Sequence, residues 1–266
     1  MAITTIKTGT LEYLTAERIG ATHCFTTRLG GVSEGYLDSL NIGMNRGDEP
    51  ERVVENFRIL GRALGFAPEE TVLTHQIHTD LVRVVTKADH RSLDHRDYPE
   101  CDGLVTNDPG TALVIFTADC TPILLHDPVT GAVGACHAGW RGTALDIAGK
   151  TVRKMVEAFG CEPKDIRAAI GPNLGACCFQ TDGDVPQAMI EAFGPEAEKW
   201  IRPENEKFYV NLKEINAHAL GRAGVARIEV SPECTLCSRD RYWSHRYTKG
   251  VRGSQGAIIC CKEAKK

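Results

Sequence analysis

The sequence predicts an α+β protein in which strands and helices pack as mixed layers. Three observations favour this class. Runs of β-branched and other apolar residues outnumber the segments with helical spacing. Several of these runs are apolar throughout, as is typical of strands buried on both faces. The two kinds of segment also alternate irregularly, whereas a doubly wound parallel sheet has a regular βαβ order.

Three segments have the spacing of amphipathic helices. The first covers residues 50–65, and the second runs from about Thr143 to Phe159, with Thr143 as N-cap and Gly160 as its stop. A third helix is predicted to begin near Asn211. The side chains expected to face the core are Val53, Phe57, Leu60 and Leu64 in the first helix and Ala148, Val152, Met155 and Phe159 in the second.

Short apolar segments are predicted to be strands. They cover residues 72–77, 81–85, 112–117, 122–126, 132–136, 167–170, 226–230 and 257–261. Residues 86–101 are polar and charged without periodicity, which predicts an exposed loop and the favoured place for an insertion. A chain of 266 residues lies near the size at which one core divides into two, and we expect a single domain over residues 1–266.

Charge and hydropathy exclude two classes of partner. The formal net charge is -4 and the Lys and Arg residues are scattered, so we expect no basic surface for nucleic acid. The chain contains no apolar run of about 18 residues that would span a bilayer. Its first residues, MAITTIKTGTLEYL, lack the basic region and apolar core of a secretory signal, so we expect a cytoplasmic protein.

The chain has eleven cysteines, including the adjacent pairs Cys177–Cys178 and Cys260–Cys261. An odd number with adjacent pairs makes a poor disulfide framework, so reduced thiols are expected. Cys234 and Cys237 have the spacing of half a structural zinc site, yet no second Cys-x-x-Cys motif follows them. We therefore expect these two cysteines to have a packing role.

Three potential metal ligands lie where predicted strands meet loops. His78 lies in THQIHTD, Cys120 follows the apolar run ALVIFTAD, and His137 follows GAVGAC. A rigid sheet holds side chains at such junctions while the loop keeps them accessible. Two histidines and one thiolate leave the fourth coordination position of zinc open, which is typical of a catalytic site. Zinc lowers the pKa of its bound water to about 7, so the water held by these three ligands is the predicted nucleophile.

The segment after His137 has the features of an anion site. A turn with Gly139 and Gly142 precedes a helix start near Thr143, where free backbone N–H groups and the positive end of the helix face the loop. Arg141 adds a planar charged group that suits phosphate or carboxylate. The alternative is structural: the glycines tighten a turn, Arg141 lies on the surface, and the potential metal ligands belong to the core.

Several long motifs occur in the order seen in one known family. They are TTRLGGVSEGYLDSLNIG (26–43), HQIH (75–78), DGLVTNDPG with TADCTPILL (102–125), HAGWRGT (137–143), AIGPNLGACCF (169–179) and SHRYTKGVRGSQGAII (244–259). The chain therefore resembles the laccase-domain family, whose members are also called multicopper polyphenol oxidase-like proteins and peptidoglycan editing factors. The resemblance extends over nearly the whole chain.

The resemblance implies a fold in which mixed β-sheets are sandwiched between helical layers. It also implies zinc as the cofactor, because the family's ligand positions fall on His78, Cys120 and His137. Family members are regarded as purine nucleoside phosphorylases with adenosine deaminase activity, so purine nucleosides and phosphate are the implied partners. The residues considered as phosphate or substrate contacts are Arg28, Gln76, Arg141 and Arg246.

The function implied is zinc-dependent phosphorolysis of adenosine, inosine and S-methyl-5′-thioadenosine, together with adenosine deamination. Copper is the alternative metal, because many nitrogen and sulfur sites bind it more tightly than zinc, and it would fit a polyphenol oxidase. Another alternative makes Cys120 a nucleophile with His137 as its base, acting on an amide or a cell-wall precursor. The last alternative is a binding protein in a larger complex. A monomer and a homodimer both remain open.

Overall fold

The computed structural model describes residues 3–95 and 97–262, and its elements confirm the α+β class. The strands are β1 (Ile3–Thr8), β2 (Leu11–Ala16), β3 (Thr22–Thr26), β4 (Thr71–Leu73), β5 (Val82–Val84), β6 (Gly103–Thr106), β7 (Ala112–Thr117), β8 (Thr121–His126), β9 (Val133–Ala138), β10 (Arg167–Ile170), β11 (Gln180–Thr181), β12 (Ile201–Glu204), β13 (Lys207–Val210), β14 (Arg227–Val230) and β15 (Gln255–Cys260). The α-helices are α1 (Pro50–Leu64), α2 (Trp140–Ala144), α3 (Ile147–Phe159), α4 (Asp184–Phe193), α5 (Leu212–Arg222) and α6 (His245–Thr248). Among the described residues, no helix has the length and apolar character needed to cross a membrane.

Most of the strands form two mixed sheets of six strands each. Sheet I has the order β1-β2-β3-β15-β7-β4, and sheet II has the order β14-β10-β8-β9-β6-β5. Neighbouring strands are antiparallel except at three edges, where β4 runs parallel to β7, β5 to β6 and β14 to β10. A small third sheet has the order β11-β13-β12.

The two large sheets pack face to face between two layers of helices. Side chains from both sheets meet in one buried cluster, which includes Phe25 and Ile115 of sheet I and Leu124 of sheet II. Helix α1 covers the outer face of sheet I and buries Phe57 there. Helices α3, α4 and α5 cover the outer face of sheet II, where Met155 is buried. This αββα arrangement is the one that the family resemblance implies, and burial of these apolar faces drives it.

Two connections between the sheets bring the predicted ligands together. The chain leaves sheet I after β4 and enters sheet II at β5, and His78 lies in that loop. It crosses again between β7 and β8, where Cys120 lies. His137 lies on β9 opposite Pro122 of β8. The three residues therefore meet at one end of the sheet sandwich, although they are distant in sequence.

All three predicted helices are present, but one begins later than predicted. Helix α5 follows its N-cap Asn211 as expected. The chain around Thr143 belongs to the short helix α2, and α3 begins after Asp146, whose carboxylate accepts the Gly149 N–H at 3.2 Å. The prediction of Thr143 as N-cap is wrong, because its hydroxyl is buried and accepts a hydrogen bond from Asn216 at 3.0 Å.

Every predicted strand has a counterpart, although the bounds differ. The largest difference is in segment 72–77, where β4 ends at Leu73. Beyond this point the Gln76 side chain replaces a strand backbone: its Oε1 accepts the Phe116 N–H at 2.7 Å, and its Nε2 donates to the Phe116 carbonyl at 2.8 Å. The chain can thus turn toward sheet II while Phe116 stays paired. The elements that the sequence did not predict are β1, β2, β3, β6, β11, β12, β13, α2, α4 and α6.

The described residues of segment 86–101, which are 86–95 and 97–101, form an irregular connection with a short 3-10 turn at Lys87–Asp89. They are only partly exposed. Leu93 is 5% exposed and packs against the apolar cluster beneath α1. His95 and Tyr98 are half-buried and face the cavity beside the three ligands. The prediction of an exposed loop is therefore wrong for these residues, because their side chains form a wall of that cavity.

Candidate metal centre and its cavity

His78, Cys120 and His137 converge on one point at the end of the two sheets. Their ligand atoms all lie within 4.8 Å of one another. Cys120 Sγ lies 4.0 Å from His78 Nε2, and the two imidazole rings meet edge to face with 4.9 Å between centroids. His137 is buried, Cys120 is half-buried and His78 is exposed. Three ligands with one accessible side suit a catalytic metal better than a closed structural one.

Backbone conformation and local contacts aim the ligands at this point. His78 has the left-handed φ of 62°, and Asp119, directly before Cys120, has a φ of 84°. Such values are uncommon outside glycine and persist only where surrounding contacts hold them. The Asp119 carboxylate accepts hydrogen bonds from Thr235 Oγ1 at 2.6 Å and from Ser244 Oγ at 3.1 Å. These contacts fix the turn that presents Cys120.

Asp102 joins two of the ligands through one buried carboxylate. His137 Nδ1 donates to Asp102 Oδ1 at 2.7 Å. The backbone N–H groups of Ile77, His78 and Thr79 donate to the same carboxylate at 3.0, 3.1 and 2.9 Å. With Nδ1 bonded in this way, Nε2 of His137 is the nitrogen available to a metal. A carboxylate that orients a ligand histidine is typical of zinc sites.

The charges of this cluster favour a thiolate at Cys120. Burial alone would raise the pKa of the Cys120 thiol, but His137 and His78 lower it to about 6. Burial would lower the pKa of His137, but the Cys120 thiolate and Asp102 raise it to about 9. Burial would also raise the pKa of Asp102, and the hydrogen bonds from His137 and the backbone lower it instead. Without a metal, these pKa values describe a Cys120 thiolate paired with a protonated His137, and a metal that binds here would displace the proton from His137.

Gly139 packs directly against the metal ligands. A Cβ atom at this position would lie 3.0 Å from His78 Cδ2 and 3.2 Å from Cys120 Sγ. These distances are shorter than ordinary van der Waals contacts, so a larger residue would displace a ligand. The motif HAGWRGT thus requires this glycine for close approach to the centre.

A cavity of about 440 Å³ opens beside the three ligands. Its volume falls within the range of small-molecule sites. One wall is apolar and aromatic, and it includes Met44, Leu93, Tyr98 and Phe116. His75 and His95 also line the cavity. Such a wall would receive a flat, largely apolar group, with polar contacts supplied by the imidazoles.

Two arginines, Arg46 and Arg252, also line the cavity. Arg46 Nε donates to Ser254 Oγ at 3.2 Å, and Arg252 Nη1 donates to the same oxygen at 3.0 Å, so the two guanidinium groups lie close together. Burial, and after it the charge of Arg46, lowers the pKa of Arg252 to about 10. Arg252 Nε is buried without a hydrogen-bond partner among the described residues. Paired cations with an unused donor favour an anion as ligand.

The residues that the sequence suggested as substrate contacts lie in different places. Gln76 lines the cavity, but both ends of its amide are bonded to the backbone of Phe116. Arg28, Arg141 and Arg246 do not line the cavity. Of the four, only Gln76 is thus brought next to the metal ligands.

Each of the three arginines has a partner within the protein. Arg28 donates to the Asp38 carbonyl through Nη2 at 2.6 Å and Nε at 3.0 Å. Arg141 is exposed, and its guanidinium lies 4.3 Å from the centroid of the Trp140 ring. Arg246 Nη1 donates to a backbone carbonyl of β11 at 3.0 Å. These contacts hold the three side chains against their own surroundings in the described structure, and a role in substrate binding stays a prediction.

Asp102, Arg46 and Arg252 are among the site residues that had no sequence prediction. Asp102 stands directly before the buried strand β6, where a carboxylate needs a partner, and the histidines of the site could have suggested one. Arg252 lies in the same motif as Arg246, and only the fold distinguishes which of them reaches the cavity. Arg46 lies in the polar segment MNRGDEP, which carries no such signal.

A second group of potential metal ligands includes Cys234 and Cys237. Their Sγ atoms lie within 4.8 Å of those of Cys177 and Cys178, and all four cysteines are free thiols. The fold brings the adjacent pair from a different loop, so the sequence contains no second Cys-x-x-Cys motif. The packing role stays a prediction, and the sulfur atoms lie close enough together to hold a metal.

Residues 22–262 match the family model described as multi-copper polyphenol oxidoreductase laccase. The purine nucleoside phosphorylase YlmD of Geobacillus stearothermophilus is 38% identical over 251 residues, which cover 92% of this chain and 91% of that protein. A purine nucleoside phosphorylase of Deinococcus radiodurans is 37% identical over 252 residues, which cover 94% of this chain and 92% of that protein. The crystal structure of YlmD from Geobacillus stearothermophilus is similar with a TM-score of 0.92 at 36% identity, over 98% of this chain and 100% of that chain.

Proposed function

Because the chain belongs to the multi-copper polyphenol oxidoreductase laccase family, we propose that it catalyses the reaction for which its relatives are named, purine nucleoside phosphorolysis. We propose zinc as the metal and His78, Cys120 and His137 as its ligands. One observation carries the proposal: a single cavity is lined by these ligands, two arginines and an aromatic wall. Phosphorolysis needs a place for an anion, a place for a flat base and a group that stabilises developing charge.

Different parts of the cavity wall are proposed to hold different parts of the substrates. Arg46 and Arg252 bind phosphate, since paired guanidinium groups match phosphate oxygens. Tyr98 and Phe116 contact the purine ring. In the reaction a phosphate oxygen forms a bond to C1′ of the ribose, and the bond from C1′ to the base breaks. The base leaves with the electron pair of that bond, and the arginines contribute by holding the phosphate in position for attack.

The donor set fits zinc. Two imidazoles and a thiolate bind zinc in catalytic sites that keep a fourth position open, and Asp102 provides the outer hydrogen bond expected of a ligand histidine. A bound zinc ion would supply Lewis-acid polarisation of a substrate atom. The role of the chain itself is to orient His137 through Asp102 and to hold the His78 loop through the same carboxylate.

Copper-dependent phenol oxidation is supported less well. Its chemistry needs several copper ions and therefore further histidine ligands close to the first centre. In the part of the chain that the structure describes, the other group of potential ligands consists of cysteines and contains no histidine. One centre of two histidines and a thiolate would bind copper, but it does not supply the remaining sites.

Within this function we propose adenosine, inosine and S-methyl-5′-thioadenosine as substrates, with adenosine deamination as a companion activity. Deamination replaces the amino group at C6 with oxygen from water and releases ammonia, so it needs no phosphate. Phosphorolysis should depend on Arg46 and Arg252, whereas deamination should not. The two activities are therefore separable by phosphate concentration.

The test is to incubate the purified protein with each nucleoside, with and without phosphate, and to separate the products by chromatography. We expect free base and ribose 1-phosphate only when phosphate is present, and inosine from adenosine in both conditions. Cys120→Ala and His137→Ala should abolish turnover and remove one zinc ion per chain. Release of base at the same rate without phosphate would overturn the proposal, as would full zinc retention in both variants.

A further inference from the structure

Four thiols from two loops meet outside the catalytic cavity. Cys177 and Cys178 lie in the segment after β10, and Cys234 and Cys237 lie in the segment after β14. Cys237 Sγ is 3.6 Å from Cys177 Sγ and 3.5 Å from Cys178 Sγ, and all four sulfur atoms lie within 4.8 Å of one another. None of the four lines the cavity beside the catalytic ligands.

These separations distinguish a metal site from a disulfide. The sulfur atoms of a disulfide are about 2.0 Å apart. Four thiolates around zinc at about 2.3 Å from the metal are about 3.8 Å apart at tetrahedral angles. The observed distances of 3.5 and 3.6 Å are close to the second value. The cluster therefore has the size of a tetrathiolate metal site.

The backbone around the cluster is already arranged for ligands. The Gly175 N–H donates to Cys234 Sγ at 3.3 Å. A parallel bridge pairs Asn173 with Cys234, and the Thr235 N–H donates to the Asn173 carbonyl at 2.9 Å. A Cβ at position 175 would lie 3.1 Å from Cys234 Cβ and 3.4 Å from Cys177 Sγ. The two loops thus approach closely, and N–H donors that stabilise thiolate charge face the sulfur.

A buried cation lies next to the same cluster. Lys213 is 6% exposed, and its Nζ donates to the carbonyls of Ser231 at 2.7 Å and Glu233 at 2.6 Å. Burial lowers its pKa to about 8, while the charges of Cys234 and Cys177 act in the opposite direction. Four thiolates around a divalent ion carry two net negative charges, and a buried ammonium group would offset part of them.

We propose that Cys177, Cys178, Cys234 and Cys237 bind a structural zinc ion, separate from the metal held by the catalytic ligands. Four cysteines close the coordination sphere of zinc and leave no position for substrate, so this site would have a structural role. The inference does not rest on the proposed function, because none of the four cysteines lines the cavity.

The second ion would also support the position of Cys120. Thr235, which lies between the two cysteines of the Cys-x-x-Cys pair, donates from Oγ1 to Asp119 at 2.6 Å. The Leu174 N–H, from the loop of the other two cysteines, donates to the Asp119 carbonyl at 2.8 Å. Both loops of the cluster therefore hold the residue that precedes Cys120, and a metal that joins them would stabilise that turn.

The first test measures zinc per chain by mass spectrometry in purified full-length protein. We expect about two zinc ions in the wild type and one in the double variant Cys177→Ser/Cys237→Ser. Cys120→Ala should also retain one, and the three changes combined should leave none. Cys161→Ser is the matched control, because this thiol lies 3.2 Å from the Thr130 hydroxyl and belongs to neither group, so it should keep both ions.

A second measurement covers the case in which the double variant does not fold. Cys120→Ala, depleted of metal and loaded with cobalt(II), should show the intense sulfur-to-metal charge-transfer bands and visible bands of a tetrahedral tetrathiolate site. Three results would overturn the proposal: an unchanged zinc count in a folded Cys177→Ser/Cys237→Ser variant, a disulfide among these cysteines in native protein, or cobalt spectra without thiolate bands. Iron as the bound metal would overturn the assignment to zinc.

Discussion

The Asp102 carboxylate lies 2.7 Å from His137 Nδ1 and at the same time accepts the backbone N–H groups of the loop that carries His78. Asp102 is fully buried and His137 is 3% exposed, so water does not compete for this hydrogen bond. One carboxylate therefore positions two of the three proposed metal ligands, and metal binding should be sensitive to its loss.

Replacement of Asp102 by Asn should lower zinc affinity by roughly 10- to 100-fold. The amide has one acceptor oxygen in place of two, so His137 or the backbone N–H groups lose a partner. Affinity can be measured by competition with a chromophoric chelator. Asp80→Asn is the matched control, because Asp80 lies in the same loop but pairs with Lys150 at the surface. Equal affinities for Asp102→Asn and the wild type would contradict this role.

Phosphate dependence tests the assignment of the two arginines. Arg46→Ala and Arg252→Ala should each raise the KM for phosphate by roughly 10-fold or more, because each removes a charged donor worth about 1.5 to 3 kcal/mol. Adenosine deamination should change much less in both variants. Arg141→Ala is the control, since its exposed guanidinium lies over Trp140 and away from the cavity. A larger phosphate effect for Arg141→Ala than for Arg46→Ala would reverse the assignment.

Gly139→Ala should weaken metal binding without unfolding the chain. The added methyl would meet His78 and Cys120 at 3.0 and 3.2 Å, so one ligand must move by a few tenths of an ångström. Zinc content after dialysis against a weak chelator should fall below that of the wild type. Gly221→Ala in α5 meets nothing within 4 Å and should leave the zinc content unchanged. Equal zinc retention in the two variants would show that the centre accommodates the added methyl group without loss of metal affinity.

The sequence was informative where side-chain chemistry and local pattern coincide. His78, Cys120 and His137 each stand near the end of an apolar segment, and the fold brings these three together because two of them lie where the chain passes between the sheets. The arginines show what the sequence pattern alone does not determine. Arg246 and Arg252 are six positions apart in one motif, and the turn of α6 decides which of them lines the cavity.

Physical reasons explain why the sequence did not predict some of the elements and contacts. β1 is an edge strand whose apolar residues are Ile3 and Ile6, with polar residues at its other positions, so no apolar run marks it. The sequence predicted that the strand extends to residue 77. In the structure it ends earlier, and the Gln76 side chain pairs with Phe116 as a strand backbone would. The cysteine cluster depends on two loops that are distant in sequence, and spacing within one segment does not reveal such a pairing.

Alkylation before and after metal removal separates the metal ligand from a cysteine nucleophile. A thiolate bound to zinc should resist iodoacetamide, whereas the metal-free Cys120, with its lowered pKa, should react quickly at neutral pH. Because Cys177 and Cys237 are also exposed, the modification must be located by peptide mass spectrometry. We expect Cys120 to be alkylated only after chelation. Equal modification in both states would favour the nucleophile.

Acid stability should depend on His126, which is 8% exposed on β8. Burial, and after it the charge of Arg167, lowers the pKa of His126 to about 4. A histidine in the unfolded chain has a pKa of about 6.5. Above that pH the residue is neutral in both states and has no effect on the free energy of unfolding. As the pH falls toward 4, the unfolded chain takes up a proton that the folded protein does not, so unfolding becomes more favourable.

The free energy of unfolding should therefore be about 2 kcal/mol lower at pH 5 than at pH 7.5. This decrease should be absent in His126→Gln. Urea unfolding at the two pH values, followed by circular dichroism, measures the difference for both proteins. Acid also releases metal from the centre, but it does so in the wild type and in the variant alike, so the difference between their pH responses isolates His126. A variant that loses as much stability as the wild type between pH 7.5 and pH 5 would show that His126 takes up its proton in the folded protein as readily as in the unfolded chain.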